Sequence, residues 1–230
     1  MRLVLFDIDG TLLNSGGMGR ASMQRALGLI FGSPGNPSYR YDGKTDKQIV
    51  RDVMRLEGHT DEHIDSRMDK LLELYLEGLR AGSKDGKFNV RPLEGVTELL
   101  DALEARDDVV LGLLTGNVEP GARIKLTAAG IDPDRFRVNA FGSDHEHRPQ
   151  LPAIAQKRAS EKLGLDIAGD RVFVIGDTPA DIECGRSLGA KAIGVASGHY
   201  TVEQLQSHNP YAVFPSLKDT QQVLHTIIDA

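Results

Sequence analysis

Two aspartates, Asp7 and Asp9, follow the apolar run MRLVLF directly and precede Gly10 and Thr11. Residues two apart on a strand project to the same side, so both carboxylates would lie together where the first strand ends. Adjacent carboxylates repel unless a cation or proton intervenes, and a hard divalent ion such as Mg2+ is the natural counter-ion for such oxygens. A calcium loop would need Gly at its sixth position and Glu at its twelfth. Counted from Asp7 these are Leu12 and Met18, and that reading fails. The plain alternative is a solvated turn or a helix cap.

Two further stretches repeat the pattern of an apolar run ending in polar residues. In LGLLTGN (111–117) the run meets Thr115, Gly116 and Asn117, whose hydroxyl, turn N–H groups and amide could donate to a phosphate. Asn117 or Glu119 at an ordinary helix start is the alternative. In VFVIGDTPADIECG (172–185) the run ends at Gly176 and Asp177. Pro179 suits the first turn of a helix, which would turn Asp181 back toward Asp177, although acids also favour helix N-termini for electrostatic reasons alone. All three stretches fall at the C-terminal ends of predicted strands, the edge where open parallel sheets bind ligands. Metal ligands beside phosphate donors point to phosphoryl chemistry on Mg2+, and an Asp carboxylate can carry it through an aspartyl-phosphate.

The elements that must position these residues are short apolar strands alternating with helical patterns, which predicts a parallel sheet with crossover helices. The strands are expected at Leu3–Phe6, Val109–Leu114, Arg137–Ala140, Arg171–Ile175 and Ala190–Val195, with a shorter one at Tyr211–Phe214. Val96, Leu99, Leu100 and Leu103 form one helical stripe, and Pro179–Leu188 and Leu217–Ile228 also read as helices. From Gly16 to about Lys87 the alternation stops. Only helical patterns occur there, at Met18–Phe31, Asp46–Glu57 and Asp65–Leu79, between two Gly- and Ser-rich stretches, NSGGMG (14–19) and RAGSKDGK (80–87). A helical insertion on two hinges would make a lid; a rigid subdomain is the alternative.

Composition narrows the class. Of 230 residues, 40% are hydrophobic and 26% charged, ordinary for a globular protein. A formal charge of -6 with no Lys/Arg block argues against a nucleic-acid surface. The single Cys184 fits a reducing compartment. No apolar stretch approaches a membrane span, and the N-terminus lacks the pattern of a signal peptide, so a cytoplasmic protein without a membrane partner is expected.

The ordered motifs resemble the haloacid dehalogenase superfamily, in particular its phosphatase branch around phosphoglycolate phosphatase and β-phosphoglucomutase. DIDGT (7–11), LLTGN (113–117) and GDTPAD (176–181) match the first, second and fourth motifs, and the resemblance spans essentially the whole chain. It implies an α/β fold, a Rossmann-like doubly wound parallel sheet with a helical cap inserted after the first strand. Residues 1–15 and 86–230 would form the core and 16–85 the cap. Asp7 would be the nucleophile and a Mg2+ ligand. Asp9 would protonate the leaving alcohol and then deprotonate the hydrolytic water, its backbone carbonyl touching the metal. Thr115, Gly116 and Asn117 would hold the phosphoryl group, Asp177 would complete the metal site with Asp181 in support, and Thr11 would orient the loop. The substrate would be a small phosphorylated metabolite, and the protein a monomer or homodimer.

The third motif departs from the family, which usually has Lys-Pro before a helix. Here SDHEHRPQLPAIAQKRASEKLG (143–164) offers Arg148-Pro149 by position, with Lys157 and Arg158 as fallbacks inside the predicted helix. Arg can bind a phosphoryl group bidentately. Lys44 and Arg40, in the insertion, could reach a substrate anion or merely be solvated. His145-Glu146-His147 lacks helical zinc spacing, AGSKDGKF is no nucleotide phosphate loop, and Cys184 reads as packing. Dehalogenation is disfavoured because the dehalogenases lack an acid at the position of Asp9. A β-phosphoglucomutase-like phosphotransferase shares the core residues, though DGKTDK lacks the Arg expected of its cap loop. A receiver-like signalling domain would place its phosphorylated Asp after a central strand and have no cap.

Overall fold

A computed structural model describes residues 1–230. The chain opens with β1 (Arg2–Phe6) and a two-residue strand β2 (Leu13–Asn14). Three helices follow, α1 (Met18–Phe31), α2 (Asp46–Leu56) and α3 (Asp61–Gly82). A second two-residue strand, β3 (Arg91–Pro92), then pairs antiparallel with β2. The remainder alternates: α4 (Val96–Glu104), β4 (Val109–Thr115), α5 (Glu119–Ala128), β5 (Val138–Phe141), α6 (Leu151–Leu163) and β6 (Val172–Gly176). It closes with α7 (Pro179–Cys184), β7 (Lys191–Val195), α8 (Val202–Gln206), β8 (Ala212–Phe214) and α9 (Thr220–Ile228).

The six long strands form one parallel sheet in the order β5-β4-β1-β6-β7-β8. The chain starts at β1, builds outward to β4 and β5, then returns to the other side of β1 for β6. That reversal at β1 opens a crevice at the carboxyl edge of the sheet, and Asp7 is the next residue after β1.

Strand sequences near-continuous in apolar residues fit a sheet covered on both faces, and the pleat divides them between two cores. Val4 and Phe6 of β1, Leu111 and Leu113 of β4, and Phe173 and Ile175 of β6 face one cluster with α4, α5 and α9. Leu3, Leu5, Val110, Leu114, Val172 and Val174 face a second cluster with α6. The expected stripe on α4 is fully used: Val96, Leu99, Leu100 and Leu103 are all buried. A third cluster is formed by α1, α2 and α3, where Met23, Leu27, Ile49, Val53, Leu71 and Leu79 pack together.

Boundaries shift where capping overrides the apolar pattern. The helix expected from Asp65 begins at Asp61, because the Thr60 side chain accepts the His63 N–H. The helix expected from Leu217 begins at Thr220, capped by Asp219 on the Gln222 N–H. Pro179–Leu188 divides into α7 and a separate 3-10 turn at Arg186–Leu188. The β2–β3 ribbon, where the chain leaves the sheet for the three helices and comes back, has too few residues to register as a strand pattern. No helix is long and apolar enough to cross a membrane.

Phe173 lies on β6 with no exposed surface, its ring edge-on to Tyr211 at 6.5 Å. Phe173→Ala is expected to lower stability by about 3–5 kcal/mol, measured by urea unfolding.

Candidate active site

Asp7 continues the β1 direction, its N–H donating to the Ile175 carbonyl at 2.9 Å. The chain then turns through Gly10, whose φ is 85°. A β-carbon there would collide with the Asp177 carboxylate as well as strain the backbone. The Ser197 hydroxyl, in the segment after β7, donates to the Gly10 carbonyl at 2.7 Å, and Thr11 Oγ1 donates to Asp177 Oδ1 at 3.3 Å. Three strand ends, those of β1, β6 and β7, therefore converge on one turn.

Asp7, Asp177 and Asp181 are all buried, and one oxygen of each lies within 4.8 Å of the others. Arg148 is the cation that meets them. It sits in a 3-10 turn at Arg148–Gln150, just before α6, and is itself buried. Its Nη2 lies 3.0 Å from Asp7 Oδ1 and also donates to Asp181 Oδ1 and to the Leu114 carbonyl. The fallbacks lie elsewhere: Lys157 is exposed and paired with Glu161, and Arg158 donates to Asp144 and the Asn139 carbonyl.

One guanidinium does not balance three carboxylates. Burial, together with repulsion from Asp181 and Asp9, pushes the Asp7 carboxyl up to about 6 despite Arg148. Burial and the charges of Asp181 and Asp7 raise Asp177 well above the carboxylate range. A hard cation would relieve both, and an all-oxygen donor set suits Mg2+. Asp181 is less open to a metal. Its Oδ2 accepts the Thr178 N–H and hydroxyl in a capping box at the start of α7, while its Oδ1 accepts Arg148. Asp7 and Asp177 are the carboxylates available to a cation.

The Thr115–Asn117 turn supplies the opposite wall. Asn117 Nδ2 donates to Thr115 Oγ1 at 2.8 Å and to Asp9 Oδ2 at 2.9 Å. Gly116 is hemmed in by the segment before α2, since a β-carbon would run into the Lys44 carbonyl. Its own carbonyl accepts the Asp46 N–H at 2.8 Å. The first turn of α2 is thus docked on the turn after β4. Asp46 Oδ2 accepts the Val118 N–H at 2.8 Å, and the Thr45 hydroxyl donates to the Glu146 carbonyl at 2.7 Å.

Lys44 does not reach the carboxylates: its ammonium is 3.4 Å from Asp52 on α2 and stands over the Tyr39 ring. Arg40 pairs with Asp42 and stacks on Tyr200. In the His145–His147 loop, Glu146 is taken by Arg51 at 2.6 Å. Cys184 is buried on α7 and its thiol donates to the Asp181 carbonyl.

The sequence reading passed over Lys125. It lies on α5, buried, with Nζ 2.6 Å from both Asp9 Oδ2 and Asn117 Oδ1. Burial works against an ionised Asp9, but the attraction and hydrogen bond of Lys125, helped by Asn117, hold its carboxyl below the usual range. The signal was present in GARIKLTAAG: Lys125 shares the inward face of α5 with Ala122 and Leu126, a place where lysine is rare unless paired. Asp46 and Tyr75 also went unnoticed.

Asp7, Asp9, Thr115, Gly116, Asn117, Arg148 and Asp177 border one cavity of about 440 Å3, closed over by residues of α1, α2 and the α1–α2 loop, including Arg20, Met23 and Tyr41. This is the size range of small-molecule sites.

A family model described as haloacid dehalogenase-like hydrolase matches residues 4–195. The chain is 28% identical over 219 residues to an N-acetylmuramic acid 6-phosphate phosphatase of Pseudomonas aeruginosa, covering 90% of this chain and 87% of that one. It is 27% identical over 217 residues to the pyrophosphatase PpaX of Bacillus pumilus, covering 94% and 93%. A solved hydrolase from Pseudomonas syringae, 24% identical, superposes over 99% of both chains with a TM-score of 0.72, a likeness of fold.

Burial lifts the Asp46 carboxyl to about 6, against the attraction of Lys125. A raised folded value means that folding favours the protonated acid. That contribution is complete below the ordinary carboxylate value and is lost as pH rises through about 6. Asp46→Asn keeps an acceptor for Val118 without the charge. It is expected to gain on the wild type by on the order of 2 kcal/mol between pH 4 and pH 7, read from paired urea unfolding curves.

Proposed function

The chain belongs to the haloacid dehalogenase-like hydrolases, and from that premise we propose that it is a Mg2+-dependent phosphatase of small phosphorylated metabolites working through an aspartyl-phosphate on Asp7. One observation carries the reading. Asp7, at the carboxyl end of β1, faces the buried Arg148 at 3.0 Å, and a second acid, Asp9, opens on the same cavity.

Asp7 attacks the phosphorus of the bound ester, forming a new P–O bond as the bond to the leaving oxygen breaks. Asp9, ionised beside Lys125 in the free protein, takes up a proton from solvent as the substrate's charge arrives and delivers it to the leaving alkoxide. Water then adds to the phosphorus of the aspartyl-phosphate, Asp9 takes its proton, and inorganic phosphate leaves with Asp7 restored. Thr115, the N–H groups of the following turn and the Asn117 amide orient the phosphoryl oxygens. Arg148 neutralises charge on Asp7 and the group it carries. Asp7 and Asp177, with the Asp9 backbone carbonyl, would hold Mg2+, and Asp181 would keep Arg148 in place. The cation, when bound, supplies charge neutralisation and Lewis-acid polarisation of the phosphoryl oxygens.

The helices α1–α3 act as a cap whose docked face lines the cavity, so the choice of metabolite rests with Arg20, Met23 and Tyr41 and their neighbours. Lys44 serves this face through its backbone carbonyl against Gly116, with its side chain held by Asp52.

Steady, Mg2+-dependent release of inorganic phosphate from an aryl phosphate, abolished by EDTA and by Asp7→Asn, is the expected result. A single stoichiometric burst from the wild type would instead indicate a phospho-accepting domain. Interconversion of sugar phosphates without phosphate release would indicate a mutase. Arg148→Ala should lose at least about 100-fold in kcat, whereas Lys157→Ala, altering an exposed helix residue, should keep wild-type turnover.

A further inference from the structure

Lys125, on α5 of the sheet domain, lies beneath the first turns of α1 and α2. Its Nζ is the nearest atom to where a β-carbon on Gly19 of α1 would stand, at 3.0 Å, with its Cε at 3.3 Å. The carboxylate of Asp46, in the first turn of α2, acts on its charge. Tyr75 of α3 also borders the Gly19 position, and its hydroxyl donates to Asp46 Oδ1 at 3.4 Å. The ammonium is thus enclosed from above by the docked helices while it grips two side chains of the core below.

Its grip on Asp9 is one-sided. Lys125 Nζ and Asn117 Nδ2 both donate to Oδ2, and neither donates to Oδ1. The Lys125 side chain keeps 5% of its surface exposed, and that of Asp9 keeps 36%. One carboxylate oxygen is therefore clamped by two buried donors while the side chain as a whole stays open to the cavity. Lys125 also donates to Asn117 Oδ1, which turns the Asn117 NH2 toward Thr115 and Asp9.

We propose that Lys125 is a positioning residue for release of phosphate from Asp7: by clamping Asp9 Oδ2 it leaves Oδ1 to the water that attacks the aspartyl-phosphate. The proposal rests on the aspartyl-phosphate reading above. In that step the water oxygen bonds to phosphorus, the P–O bond to Asp7 breaks, and the water proton passes to Asp9 Oδ1. Formation of the aspartyl-phosphate from an ester with an acidic leaving group needs no proton from Asp9, so a loosened Asp9 would affect the two halves of the reaction unequally.

The test is rapid-mixing kinetics with 2,4-dinitrophenyl phosphate and Mg2+, on the full chain. Lys125→Met is expected to give a burst of dinitrophenol close to one per chain, followed by a steady state at least about 30-fold slower than wild type, with KM not raised. Acid-quenched phosphorylated protein should accumulate in parallel. Removing a buried charge partner can prevent folding, so Gly19→Ala is the second variant. Alanine favours the helix, so its Tm should not fall, while the added methyl presses on the ammonium and should slow the steady state at least about threefold with a burst retained. A loss of the burst in folded Lys125→Met, a raised KM at unchanged kcat, or wild-type kinetics in Gly19→Ala would each overturn the assignment. A wild type that neither turns over nor phosphorylates Asp7 would sink the phosphatase reading itself, whereas a wild type that turns over normally isolates any failure to Lys125.

Discussion

Everything in this structure depends on crowding buried carboxylates around a single guanidinium. Asp7, Asp177 and Asp181 arrive from two strand ends and a helix start, and Arg148 is the cation that meets them. Such an arrangement is short of positive charge, and the shortage is useful. Desolvated acids with raised proton affinity would favour a divalent cation there, at the place where the proposed reaction needs phosphoryl charge neutralised. The fold supplies the means to hold them there. A parallel sheet with a reversal at β1 delivers Asp7 and Asp177 on neighbouring strands, and the capping box at Thr178 fixes Asp181 without drawing on Asp7.

A second, independent ion pair works beside the first. Asp9 lies two residues from Asp7 but belongs electrostatically to Lys125, not to Arg148. The two aspartates that begin the chain's chemistry are therefore held in opposite senses, one pushed toward its protonated form and the other held ionised. Each faces a cation, but Asp7 is raised by burial and the nearby carboxylates despite Arg148, whereas at Asp9 Lys125 and Asn117 outweigh burial.

Most of the sheet was legible because both faces of its strands are buried, so apolar runs and strands coincide to within a residue or two. The β2–β3 ribbon left no trace, since two-residue strands have no periodicity. Helix ends moved with Thr60 and Asp219, whose side-chain oxygens outrank the apolar stripe in setting where a helix starts. At the site, residues inside contiguous motifs were readable, and Arg148 was distinguishable from Lys157 by the proline that follows it. Asp46 and Ser197 were not, because each is assigned to the site by tertiary contact alone, and Lys125 left only the faint signal of a lysine on an apolar helix face. Lys44 was left open between reaching a substrate anion and being solvated; in the structure it borders the cavity with its ammonium paired to Asp52.

Beside its side-chain hydrogen bonds, the contact between the two parts of the chain includes a close approach of backbone to backbone. Gly116 leaves no room for a side chain beside the Lys44 carbonyl, and a β-carbon on Gly142 would strike the carbonyl of Gly116. Glycine is the residue that fits at both places, whatever the protein's preferred metabolite. Side chains such as Arg20, Met23, Tyr41 and Ile49 border the cavity from the helical wall opposite, so exchanging them reshapes the cavity without prising this seam apart.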